Sequence, residues 1–255
     1  GGWGGGIYSP KWTSATYTLL TLRSIGVPRG CQAAHRGAQL VLEALLGATC
    51  DATFHQKLAA CDRCIVGMVL QLAVYFEIDD GRVEAIVDNL LSEMMPDGAW
   101  NCRRDRRPRP HHSSLHTTFN VLDGLREYVE LYDGARRDDV LAAERSAREF
   151  TLQHRFYKSD KTGQIINSKF SKLSLPYRWQ YNILRALEYF ARAGAPRDDR
   201  AQDAIDLLDE QRRDDGRWPV QHKYTGKVFF EMEPLGAPSR WNTLRALRVL
   251  RWWKG

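Results

Sequence analysis

The chain has 255 residues, 43% of them hydrophobic and 27% charged, which excludes wholesale disorder and gives length enough for a core without disulfide staples. Lys and Arg number 37 against 31 Asp and Glu, and the resulting net charge of +6 is mild for this length, pointing to an anionic ligand and away from nucleic acid as a partner. The longest apolar stretch, Ile65 to Phe76, is too short to span a bilayer, so a soluble protein without a transmembrane segment is expected.

In chain order, the first apolar helix opens at Trp12-Thr13-Ser14, after a start at Gly1-Gly2-Trp3-Gly4 that carries no Met and implies a removed or omitted upstream piece. A half-exposed helix is predicted over Gln32 to Leu46. The next apolar helix, Cys64 to Phe76, has Gln71 as its only strongly polar side chain and must be covered on every side. A second half-exposed helix runs from Arg82 to Met94, an apolar one opens at His116-Thr117-Thr118, and a third half-exposed one covers Asp138 to His154. The pattern repeats with Trp179-Gln180-Tyr181, with Asp198 to Arg213, and with Trp241-Asn242-Thr243. In Asp198 to Arg213 the apolar residues Ala201, Ala204, Ile205 and Leu208 fall on one face. The pairs Asp79-Asp80, Asp138-Asp139 and Asp198-Asp199 stand where helix N-caps or first-turn acids belong. Gly163 to Phe170 and Tyr224 to Glu231 read as isolated extended excursions.

The five apolar openings, at 12, 64, 116, 179 and 241, are separated by 52, 52, 63 and 62 residues, so the chain is an internal repeat. Alternating apolar and half-exposed helices describe inner helices wrapped by outer ones. The connections carry Asp97-Gly98-Ala99-Trp100 and Asp215-Gly216-Arg217-Trp218, echoed by Gly2-Trp3-Gly4; Asp-Gly supplies a tight turn and Trp an anchor beneath it.

The segments 92–100 and 211–218 resemble the QW-type repeats of the terpene cyclase and protein prenyltransferase superfamily. The resemblance covers nearly the whole chain. It implies an all-α fold, the α/α toroid, with about five parallel inner helices in one domain spanning 1–255. It leaves the reaction open, since one toroid serves several chemistries.

Five cysteines, Cys31, Cys50, Cys61, Cys64 and Cys102, in a chain without a signal peptide suggest a reduced, cytoplasmic setting with free or metal-bound thiols. Cys64 and His116 occupy one repeat position, a period apart, where the other repeats have Trp, and Asp62 stands two residues before Cys64. A carboxylate, a thiolate and an imidazole would leave a fourth tetrahedral zinc position open, the catalytic pattern. The arrangement is similar to the zinc site of the protein prenyltransferase β subunit, where Asp-x-Cys and His-Thr begin inner helices. That similarity implies Zn2+ held by Asp62, Cys64 and His116. Cys102 is the rival ligand, since Cys61, Cys64, Cys102 and His116 would make a closed structural site, and His111 or His112 comes third. The bland alternative is a small core Cys beside a capping Asp and His.

The run Arg103 to Arg109, with Arg103, Arg104, Arg106 and Arg107, reads either as a solvated loop or as an anion clamp for a diphosphate. Glu77-Ile78-Asp79-Asp80 approximates the acid motif of class II terpene cyclases but begins with Glu and reads as a helix start, and Asp198-Asp199 with Asp203 lacks the spacing for magnesium-diphosphate chemistry. Trp12, Tyr17, Phe119, Trp179, Tyr181 and Trp241 lie on or near the inner helices, as core or as the lining of an apolar cavity for an isoprenoid-like substrate. The expected function is a zinc-dependent prenyl- or alkyl-type transferase that activates a thiol or water toward an apolar, diphosphate-bearing substrate. The alternatives are a metal-free terpenoid cyclase-like enzyme and a non-catalytic binding toroid with a structural zinc. The helix opening at Trp12 has no preceding outer helix, so an upstream amphipathic helix or a second copy of the chain, as a homodimer, is expected to cover it.

Overall fold

The computed structural model describes residues 2–102 and 110–255. The described residues are mostly helical, with ten α-helices, two short 3-10 turns and one pair of two-residue strands, so the chain is all-α. None of these helices is long and apolar enough to cross a membrane. The chain divides into two compact units, one of residues 1–147 with 226–229, the other of 148–225 with 230–255.

The first unit contains α1 (Ala15–Ser24), α2 (Gln32–Leu45), α3 (Ala52–Ala60), α4 (Arg63–Tyr75), α5 (Gly81–Ser92) and α6 (Leu115–Leu131), and the division falls within α7 (Arg137–Gln153). Helices α4 and α6 are buried along almost their whole length, as the apolar run Val66 to Val74 requires. They approach closely because neither helix has a side chain where they cross. A Cβ on Gly67 would lie 2.4 Å from the Asn120 carbonyl oxygen, and one on Gly124 would lie 2.5 Å from that of Gly67. Helices α1, α2 and α5 pack on α4. In α2 the buried set Ala34, Gly37, Ala38, Val41 and Leu42 follows the helical period and leaves the opposite face to solvent.

The second unit holds α8 (Ile183–Arg192), α9 (Gln202–Glu210) and α10 (Arg240–Lys254), with α8 packed between the other two. Strands β1 (Trp218–Pro219) and β2 (Pro238–Ser239) pair antiparallel, Trp218 opposite Ser239.

Three expectations shift. Helix α3 was not evident in the sequence, because only Phe54 and Leu58 supply its buried face; its start is fixed by Asp51, whose carboxylate accepts the Phe54 N–H at 2.9 Å. Helix α8 begins at Ile183 instead of Trp179, because the Asn182 side chain caps it by accepting the Arg185 N–H at 2.9 Å. Helix α1 begins at Ala15, and Trp12 precedes it in the left-handed region with φ 74°. The extended excursions reduce to a bridge between Lys158 and Ile165, while Tyr224 to Glu231 forms no strand.

Candidate functional site

The site is built in the first unit around one anchor. The turn 95–99 is closed by the Met95 N–H donating to the Ala99 carbonyl at 2.8 Å, with Gly98 at φ 86°, a value that a side chain would strain. Trp100 then enters the core, fully buried, and donates its indole N–H to the Leu90 carbonyl at 2.7 Å. Its backbone N–H donates to the Thr118 hydroxyl at 3.2 Å, and its carbonyl accepts the Ser114 N–H at 2.8 Å. The segment is thereby fastened to the first turn of α6, and Cys102, two residues on, is carried to the starts of α4 and α6.

There the Cys102 sulfur accepts the Cys64 backbone N–H at 3.1 Å and the Thr117 hydroxyl at 3.2 Å. Both donors lie in the first turns of buried helices, where backbone N–H groups lack helical partners and favour negative charge. The Cys64 thiol also hydrogen-bonds to the Cys102 sulfur, and this contact, followed by the Thr117 and Cys64 N–H donors, pulls the Cys102 thiol below its ordinary value against the cost of burial. The proton is kept on Cys64, whose thiol is pushed far up by donating to Cys102 and by burial. Of the two thiols, Cys102 is thus the more readily ionised.

Asp62 is the N-cap residue of α4, yet its side chain makes no capping hydrogen bond, and its exposed carboxylate lies within electrostatic reach of Cys61, Cys64 and Cys102. The elbow that carries it is fixed by the buried Arg63, which donates to the Leu58 carbonyl at 3.1 Å and to that of Ala59 at 2.5 Å, tying the end of α3 to the start of α4. Burial pushes the Cys61 thiol up to about 11. Tyr8 faces the same groups; burial raises its hydroxyl, which accepts a hydrogen bond from the Tyr17 hydroxyl at 3.1 Å.

His116 is the second residue of α6, half-buried and adjacent to Thr117. Cys64 is the second residue of α4 and Trp241 the second of α10, so these three share a position, whereas Trp12 and Trp179 precede their helices. Among the described residues, no three or more His, Cys, Asp or Glu side chains are already grouped to hold a metal ion. His111 and His112 are exposed. Arg103, Arg104, Arg106 and Arg107 lie outside the described residues. Of the aromatic candidates in the first unit, Trp12, Tyr17 and Phe119 are buried; in the second, Tyr181 is buried with its hydroxyl on the Phe156 carbonyl, and Trp179 and Trp241 are half-buried. Glu77 sits in the turn after α4 with φ 64°, and Asp80 caps α5 by accepting the Arg82 N–H at 3.0 Å, the helix-start reading of that acidic run.

Thr117 as a donor to sulfur and Tyr8 as a neighbour were not evident in the sequence. The central place of Cys102 had a signal in its spacing from the anchor tryptophan. The second unit repeats that anchor with Trp218, but the residue two positions on is the buried Val220. Sulfur stands in the first unit where the second has a packing methyl group. No protein-family model matches the chain, and no curated protein matches it either.

Proposed function

We propose that the chain is a zinc-dependent enzyme whose centre is the Cys64–Cys102 pair, acting as a prenyl- or alkyl-type transferase on an apolar, diphosphate-bearing substrate. The single observation that carries this reading is the Cys102 sulfur held by a helix N–H and a hydroxyl beside the Cys64 thiol. The thiolate is the form in which cysteine binds metal, and these contacts lower the cost of forming it. Two sulfurs, a carboxylate within electrostatic reach and a histidine adjacent in sequence to Thr117 fit zinc by donor type. Cys64 and Cys102 would hold it with one of Asp62 and His116 as third protein ligand, leaving the fourth tetrahedral position to a thiol or water. Zinc there supplies a nucleophile at neutral pH by holding a bound thiol as thiolate or by lowering the pKa of bound water.

The chain's own residues do the rest. Thr117 and the Cys64 N–H orient the Cys102 sulfur, Arg63 holds the elbow that presents Asp62, and the buried α4–α6 pair keeps the two helix starts in register. The buried helices α4 and α6, the half-exposed helices α2 and α5, and the repeated tryptophan anchor support a toroidal arrangement. The five arginines of the 103–109 segment follow Cys102 directly in sequence, which suits a diphosphate leaving group. The test is to incubate reduced, zinc-loaded protein with farnesyl diphosphate and a small thiol. Thioether formation that is lost with a chelator and in Cys102→Ala is expected. Product at equal rates with and without metal would refute the reading.

A further inference from the structure

Cys50 lies apart from the thiol pair and is built differently. It is the one exposed cysteine of the five, all of which are free thiols. Its sulfur is 3.8 Å from Nε2 of His55 on α3, and its thiol donates to the Gly81 carbonyl at the start of α5, also at 3.8 Å. It directly precedes Asp51, the N-cap of the nine-residue helix α3. The side chain of Arg82, fixed by both oxygens of Asp80 and by the Gly47 carbonyl, lies within electrostatic reach of the same sulfur. A nucleophile, a base in hydrogen-bond contact with it and a fixed cation thus meet at an open surface. Neither a core cysteine nor a merely solvated one has these neighbours.

We propose that Cys50, activated by His55, is a site of reversible thiolation by low-molecular-weight disulfides. In the exchange the Cys50 thiol proton passes to His55 Nε2, the sulfur bonds to one sulfur of the incoming disulfide, and the disulfide bond breaks. The departing thiolate takes the bond's electron pair and accepts the proton from His55. No further oxidant is required, because the incoming disulfide is itself reduced as Cys50 is oxidised. Excess thiol reverses the step. The inference is independent of the zinc reading, since Cys50 contributes nothing to that centre.

The test uses the full chain with glutathione disulfide as the probe, following intact mass and peptide maps over time. The first adduct is expected at Cys50, as one glutathione per chain that dithiothreitol removes and that Cys50→Ser abolishes. His55→Gln should slow its formation roughly ten- to a hundredfold, the loss expected for removing a general base. The thermal midpoint and metal content of His55→Gln should match those of wild type, which separates a chemical effect from a structural one. A first adduct at Cys31, Cys61, Cys64 or Cys102 would overturn the proposal, as would an unchanged rate in His55→Gln.

Discussion

Trp100 and Trp218 make the same two hydrogen bonds, each within its own unit. Trp100 donates its indole N–H to Leu90 and its backbone N–H to the Thr118 hydroxyl; Trp218 donates likewise to Leu208, at 2.6 Å, and to Thr243, at 3.0 Å. The turns before them match as well, Met95 closing on Ala99 and Arg213 on Arg217, with Gly98 and Gly216 both at positive φ. Asp80 caps α5 by accepting the Arg82 N–H, and Asp198 accepts the Arg200 N–H in the 3-10 turn Asp199–Ala201 that leads into α9. One repeat unit is therefore built twice from the same contacts.

Trp100→Phe is expected to destabilise the chain by about 1–3 kcal/mol, because the Leu90 carbonyl is left without its buried donor. Trp218→Phe should cost a similar amount. Urea denaturation of both variants checks this, and a loss confined to one of them would mean that the two anchors are not equivalent. Trp100→Phe should further slow the chemistry of the thiol pair, because the anchor places Cys102, whereas Trp218→Phe should leave it unchanged.

The packing of α4 on α6 gives a second expectation. Gly67→Ala and Gly124→Ala each put a methyl group within 2.6 Å of opposing backbone, and overpacking of this kind costs roughly 1–3 kcal/mol or more. Gly81→Ala meets nothing within 4 Å and lies at the first position of α5. It should be neutral or stabilising by up to about 1 kcal/mol. Thermal or urea midpoints for the three variants check the contrast, and equal effects would contradict the close helix contact.

Much of this was legible in the sequence because the signals were local. The apolar run at Cys64 to Phe76, the Asp-Gly-x-Trp turns and the paired aspartates each determine a structure within a dozen residues. The helix start at Trp179 was misplaced because the Asn182 amide caps α8, and that at Trp12 because Trp12 itself sits in the left-handed region, φ 74°, before α1 begins. At the site, the pairing of Cys64 with Cys102 joins residues from separate segments. Only the Trp100 anchor brings them together, and spacing alone ranked His116 above Cys102.

The paired caps predict an acid dependence. Arg82 holds the Asp80 carboxyl below the usual carboxylate range, and Arg200 does the same for Asp198. A carboxylate whose folded pKa is depressed contributes stability that is present above its unfolded value, about 3.9, and is lost as pH falls through the folded value. Asp80→Ala should therefore cost roughly 1 kcal/mol or more near neutral pH, through the lost cap and the buried Arg82 left without its partner. Its deficit relative to wild type should shrink below about pH 4. Urea midpoints across that range test the sign, and a deficit that grows toward acid would contradict it.

Cys64 and Cys102 are proposed to form one metal centre, and the zinc content of the purified, reduced chain tests that directly. About one zinc per chain is expected, lost in both Cys64→Ala and Cys102→Ala, weakened in whichever of His116→Ala and Asp62→Ala removes the third ligand, and retained in Cys50→Ala. A folded wild-type chain that binds no zinc, or one that keeps its zinc when Cys102 is replaced, would contradict it.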